Sequence, residues 1–132
     1  MRSRILVLSG RPNDARELSQ MLQGLPVILD FAENLQQARA KLLQEGDYQA
    51  ILTEASLPDG KWLDLLHLVR QCPHSPQVVV TSPQADARLW AEALNLGVYD
   101  VLAQPFYEFE VRRILSNACA WRPQGSYQVA AV

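Results

Sequence analysis

The sequence predicts an α/β domain: a doubly wound five-stranded parallel sheet, (βα)5, with strand order 2-1-3-4-5. Two observations predict it. Five short apolar runs, 5–8, 27–29, 50–52, 78–80 and 101–103, are near-continuous rather than alternating, as in strands covered on both faces. After each run comes a segment of helical period, so the chain reads strand then helix five times over. A right-handed crossover helix must pack back on a sheet face, and strict alternation therefore specifies an open parallel sheet with helices on both sides.

The elements follow in order. After the first strand, Ala15, Leu18, Met21 and Leu22 make an apolar stripe that stops at Gly24. After the second, Asn34 is placed to cap a helix carrying Leu35, Ala38 and Leu42, which stops before Gly46. The third strand runs through a proline turn into Trp62, Leu65, Leu66 and Val69. Pro73 and Pro76 stiffen the approach to the fourth strand, and Ala87, Trp90, Ala91 and Leu94 form the stripe beyond it. Trp62 and Trp90 are read as core or partner-facing packing. The fifth strand leads to Val111, Ile114, Leu115 and Ala118. One domain is expected over 1–121, with 122–132 a tail or the start of a linker.

With 132 residues, 48% of them hydrophobic, the chain can cover a sheet with two helical layers. Twelve basic and fourteen acidic residues leave a formal charge of -2, without the basic excess that direct nucleic-acid binding needs. The two cysteines, Cys72 and Cys119, have no CxxC or metal spacing and read as free thiols of a reducing compartment. His67 and His74 have no metal-spaced partner. The run Ile5–Leu8 is too short for a signal-peptide core or a membrane span. A cytoplasmic protein with no membrane contact and no cofactor is expected.

In such a sheet, the loops leaving the carboxyl ends of the strands converge on a crevice. Here they deliver Ser9, Gly10 and Arg11 after the first strand, Glu54 after the third, Thr81 and Ser82 after the fourth, and Gln104 and Pro105 after the fifth.

Three stretches now carry a resemblance. ILTEASLPDG looks like the phosphoacceptor strand and turn of response regulator receiver domains, VVVTSP like their switch-threonine strand, and ALNLGVYDVLAQPF like their fifth-strand signature. The likeness runs from Arg4 to about Trp121 and implies a flavodoxin-like fold. It also implies a role in two-component phosphorelay signalling, in a non-enzymatic regulatory module. The expected X-Pro bond at Gln104-Pro105 is cis by resemblance alone, because cis is a minority state overall.

The family's functional set is incomplete here. Glu54 stands where the phosphorylated aspartate would be, Ser9-Gly10 where an acidic pair would hold a divalent cation, and Gln104 where a lysine would meet the phosphoryl oxygens. Thr81 alone matches outright. Mg²⁺ is usually held by one or two carboxylates plus phosphate oxygens, so Glu54 by itself makes a poor site, and no metal site is expected. Phosphoryl transfer depends on positioning and charge stabilisation, which these losses remove. The reading is a pseudo-receiver. Its glutamate is a phosphoaspartate imitation, a buried carboxylate hydrogen-bonded by Thr81, Ser82 or Gln104, or the partner of Arg11 in a salt bridge.

Val101 occupies the family's aromatic switch position, where an aliphatic side chain cannot make the same movement; Tyr99, two residues before it on the same face, is not expected to compensate. The expected partner is a protein or a second copy, a dimer, bound through the fourth helix, fifth strand and fifth helix. That face carries Arg88, Glu92, Asp100, Arg112 and Arg113, and an output domain is allowed in a longer parent protein. Two alternatives remain open. One is a phosphorylatable receiver using substitute ligands, with Glu54 phosphorylated or a nearby acid such as Asp59 or Asp14 recruited; the other is a flavodoxin-like ligand binder using Ser9-Gly10-Arg11 to hold a phosphate.

Overall fold

The computed structural model describes residues 2–44 and 46–121. The expected tail at 122–132 lies outside them. Strands β1 (Ser3–Leu8), β2 (Val27–Ala32), β3 (Ala50–Glu54), β6 (Gln77–Ser82) and β7 (Asp100–Ala103) form one sheet in the order β2-β1-β3-β6-β7, every pair parallel. Counted along the chain, this is the expected 2-1-3-4-5. A two-residue hairpin, β4 (Ser56–Leu57) and β5 (Gly60–Lys61), folds over the proline turn. That hairpin is an addition to the five expected strands. At its tip Gly60 allows a close approach, since a Cβ there would stand 2.4 Å from Leu35 Cδ1 and 2.7 Å from Asp64 Oδ2.

Period-two alternation along each central strand divides the core between the two sheet faces. Ile5 and Val7 of β1, Ala50 and Leu52 of β3 and Val79 of β6 meet α1 (Pro12–Met21) and α5 (Glu108–Ala120) through Leu18, Leu22, Val111, Ile114 and Leu115. Leu6, Leu8, Ile51, Val78 and Val80 meet α2 (Leu35–Gln44), α3 (Trp62–Arg70) and α4 (Ala87–Asn95) on the other face. Each fully buried Ile, Leu or Val contributes about 1.5–3 kcal/mol, so this two-sided burial is what holds the strand ends in place.

The caps are built from acids and amides. Asn34 Oδ1 accepts from Gln37 N at 2.8 Å, as its position predicts, and Asp86 Oδ1 accepts from Leu89 N at 2.9 Å. Asp59 is engaged likewise: its carboxylate accepts from Leu35 N at 2.8 Å and Gln36 N at 3.2 Å, at the start of α2.

Helix α4 meets the sheet on a different side from its apolar stripe. Its stripe of Ala87, Trp90, Ala91 and Leu94 faces solvent, while Ala93 and half-buried Leu89 hold the helix to the sheet. Trp90 is 37% exposed and Leu94 46%, against 5% for Trp62, which lies in the core. The same side chains would have to turn about the helix by nearly half a revolution to reach the core.

Candidate functional site

Each functional side chain stands where a buried strand ends. β3 is buried throughout, and its last residue, Glu54, is 5% exposed. Its backbone neighbour across the sheet is Thr81, 2% exposed, at the corresponding level of β6. β1 delivers Ser9, whose N–H donates to Ala32 O at 3.0 Å, and α1 begins at Pro12, a residue suited to the first helical position. Gln104 follows β7, its N–H donating to Ser82 O at 3.2 Å, and precedes a cis bond to Pro105, as the resemblance implies.

These four strand ends bring their side chains together around one oxygen. Glu54 Oε1 accepts from Gln104 Nε2 at 3.3 Å and lies 3.5 Å from Ser9 Oγ and 3.9 Å from Arg11 Nε. Gln104 Nε2 also donates to Thr81 Oγ1 at 3.1 Å, and Gln104 Oε1 accepts from Arg11 Nη1 at 3.2 Å. Ser9 Oγ accepts from Arg11 N at 3.1 Å and donates to Asp14 Oδ2 at 2.9 Å. Asp14 therefore enters the crevice from the first turn of α1, linked to Glu54 through the Ser9 hydroxyl.

Among the candidates named from sequence, Ser9, Arg11, Glu54, Thr81 and Gln104 form this network. Gly10 and Ser82 line the open cleft beside it, about 470 Å³, with Pro58 and Gln84. Ser82 Oγ accepts from Gln84 N at 3.0 Å and holds the rim. Pro105 shapes the chain behind. Asp59, at the start of α2, is not part of the network. A cavity of about 510 Å³ between Gln49, His74 and Trp121 is larger, but the charged and hydroxyl groups converge on the smaller one at the strands' carboxyl ends.

Burial raises the Glu54 pKa above its usual value, and the adjoining Asp14 carboxyl raises it further; the Gln104 amide and the Arg11 charge pull it back. The donors suited to a hard cation are Glu54, Asp14 and Ser9, but the guanidinium of Arg11 already lies against Glu54. Among the described residues no group of three His, Cys, Asp or Glu side chains is arranged to hold a metal ion. This set fits a magnesium ion poorly, because a second cation would meet Arg11 at close range.

Val101 is buried at 1% exposure in the core beneath α2, α3 and α4. Tyr99 packs with the opposite cluster, alongside Leu102 and Phe106. It precedes β7, where strict alternation has not begun, so the expected shared face is corrected and Tyr99 does not substitute at the Val101 position. Arg112, expected on the outer face, instead donates from Nη1 to Met21 O at 3.1 Å and Gln23 O at 2.8 Å, binding α5 to the end of α1.

A parallel sheet of this order, with a carboxylate, a threonine and an amide at successive strand ends, defines a receiver-type domain. The model of the response regulator receiver domain family matches residues 5–116, and the chain belongs to that family. It is 30% identical over 124 residues to the response regulator protein PilR of Pseudomonas aeruginosa, covering 92% of this chain and 27% of PilR. It thus spans about a quarter of that relative's length. The signal receiver domain of an HD domain-containing protein from Pseudomonas fluorescens superposes with a TM-score of 0.78 at 28% identity, over 90% of this chain and 88% of that one. The beryllofluoride-activated NtrC4 receiver domain dimer superposes with a TM-score of 0.81 at 20% identity, over 89% and 96%. Among the described residues no helix is long and apolar enough to cross a membrane.

Proposed function

We propose that this receiver domain serves two-component signalling as a regulatory interaction module, without the usual magnesium-dependent phosphorylation. The observation that carries this reading is the position of Arg11. Its guanidinium lies between Glu54 and Gln104, 3.9 Å from one and 3.2 Å from the other, in the space where a cation and an incoming phosphoryl group would have to meet. With Ser9-Gly10 in place of an acidic pair, the cation beside Glu54 is a side chain, Arg11. The module regulates rather than catalyses, and works in the cytoplasm.

Its contact surface is the face made by α4, β7 and α5, where Trp90 and Leu94 meet solvent beside exposed Arg88, Glu92 and Arg113. Exposed aromatic and aliphatic residues with a mixed-charge rim suit a protein partner or a second copy. Dimeric assembly of the activated NtrC4 receiver supports that choice. The length of PilR beyond the matched part supports an output domain in a longer parent.

Incubation with Mg²⁺ and a small-molecule phosphodonor, followed by intact-mass measurement, tests the reading. No phosphoryl adduct is expected. The entry of Asp14 into the crevice favours the second reading, phosphorylation of Glu54 with Asp14 as a substitute ligand, and an adduct lost in Glu54→Gln would establish it.

A further inference from the structure

We propose that the crevice is operated by a proton. One proton, taken from solvent by Glu54 in the crevice it shares with Asp14, replaces the phosphoryl group as input, and its arrival loosens the hold of Glu54 on Gln104. The proton bonds to a carboxyl oxygen of Glu54; only hydrogen bonds break. This deepens the proposed function and rests on it, since the input is sought where phosphorylation is absent.

The geometry carries the argument. Glu54 is 5% exposed, and Asp14 is the second acid of the same crevice. Between them stands a single hydroxyl, with Ser9 Oγ 2.9 Å from Asp14 Oδ2 and 3.5 Å from Glu54 Oε1. It has one proton to donate and accepts from Arg11 N at 3.1 Å, so it serves one carboxylate at a time. The compensating charge is Arg11, whose side chain is 55% exposed and also donates to Gln104. Two acids thus face one half-solvated cation, an arrangement in which a proton on Glu54 relieves repulsion.

Around Glu54 the neighbouring groups are Asp14 of α1, Ser9 and Arg11 before it, Ser56 of the hairpin, Thr81 and Ser82 of β6, and Gln104 after β7. Only Asp14 and Arg11 among these carry charge. The burial and carboxyl contact that raise the Glu54 pKa act in the same direction as this geometry.

A reader is already in place. Gln104 Nε2 bridges Glu54 Oε1 and Thr81 Oγ1, at 3.3 and 3.1 Å. A charged Glu54 draws the amide, and a neutral one leaves it to Thr81. Gln104 begins the connection that runs through Pro105 and buried Phe106 to α5, one border of the proposed contact face.

The test is an NMR titration of the chain across acid to mildly alkaline pH. It follows the Glu54 carboxyl carbon, the Gln104 side-chain amide, the Thr81 amide and the first turn of α5. All are expected to move with one apparent midpoint above that of an ordinary glutamate. Asp14→Asn lowers the midpoint by about one unit, and Glu54→Gln abolishes the transition. Should Asp14→Asn fail to fold, Ser9→Ala takes its place, and loss of the shared donor raises the midpoint. Gln104 and Thr81 signals that stay flat, a midpoint at the ordinary value, or no response to either Asp14→Asn or Ser9→Ala overturns the proposal. A phosphoryl adduct in the mass measurement overturns the underlying reading instead, and leaves the titration result standing.

Discussion

Asp30 and Glu54 sit at different levels of the same parallel sheet, and their surroundings treat negative charge in opposite ways. Asp30, in β2, accepts from Tyr48 Oη at 2.6 Å and from Arg4 Nη2 at 2.5 Å, while Arg4 also reaches Asp47 at 2.9 Å and lies over the Tyr48 ring. Hydrogen bonding from Tyr48 and the Arg4 charge hold its carboxyl below the ordinary 3.8, outweighing its burial. Glu54 has longer bonds of 3.3 to 3.9 Å and an acid as a neighbour, and its carboxyl is raised above the ordinary 4.5. Short bonds from well-placed donors make one carboxylate an asset to the fold. Sparse, divided donors leave the other under-compensated, as functional crevices commonly do.

Breaking the well-compensated site should have the larger effect. Asp30→Ala leaves Tyr48 and Arg4 without their acceptor and should cost about 2 kcal/mol at neutral pH in urea denaturation. Because the folded value is depressed, the stabilisation from Asp30 is complete above 3.8 and is lost as pH falls through the lower, folded value. The acid limb of the wild-type stability curve should therefore flatten in Asp30→Asn. A neutral-pH cost under about 0.5 kcal/mol would show that the two carboxylates do not differ as argued.

Glu54→Gln should move stability the other way. Its carboxyl is raised on folding, so the folded chain binds the extra proton and stability declines as pH rises from 4.5 through the raised value. Removing the charge should stabilise the fold by about 1 kcal/mol at neutral pH and by nothing below that window. Thermal melts at several pH values give the sign. Destabilisation at neutral pH would mean that Gln104 and Arg11 compensate the charge fully.

The contrast between the two cations is finer. Arg11→Ala should destabilise by about 0.5 kcal/mol at neutral pH, since its side chain is 55% exposed and its contact with Glu54 is long. The effect should shrink with added salt, which screens exposed pairs most. A salt-independent loss of several-fold that size would place Arg11 in the same class as Arg4.

Much of this arrangement was legible in sequence, for identifiable reasons. Continuous apolar runs give the strands, and strand ends in a parallel sheet give the crevice, so Ser9, Arg11, Glu54, Thr81 and Gln104 could be gathered before any coordinates. Asp14 was visible only as an alternative, because its place depends on how far the first turn of α1 rotates it toward β3. The Asp30–Tyr48–Arg4 cluster links positions far apart in sequence, and no local pattern announces it. Tyr99 was misplaced because alternation was extended one residue before the strand begins.

The α4 stripe leaves core and partner-facing packing both open in sequence, and its variant offers the smallest stability effect. Periodicity of Ala87, Trp90, Ala91 and Leu94 identifies an apolar face but not what covers it; here Leu89 and Ala93 take the core side. Leu94→Glu should change stability by less than about 0.5 kcal/mol, since Leu94 is already 46% exposed. If the face serves a protein partner or a second copy, the same substitution should weaken association about tenfold or more, which is about 1.4 kcal/mol. Sedimentation of the chain across a concentration series, set beside its thermal stability, separates the two quantities. A loss of stability without a loss of association would return α4 to core packing alone, and would leave the crevice without an outlet on this face.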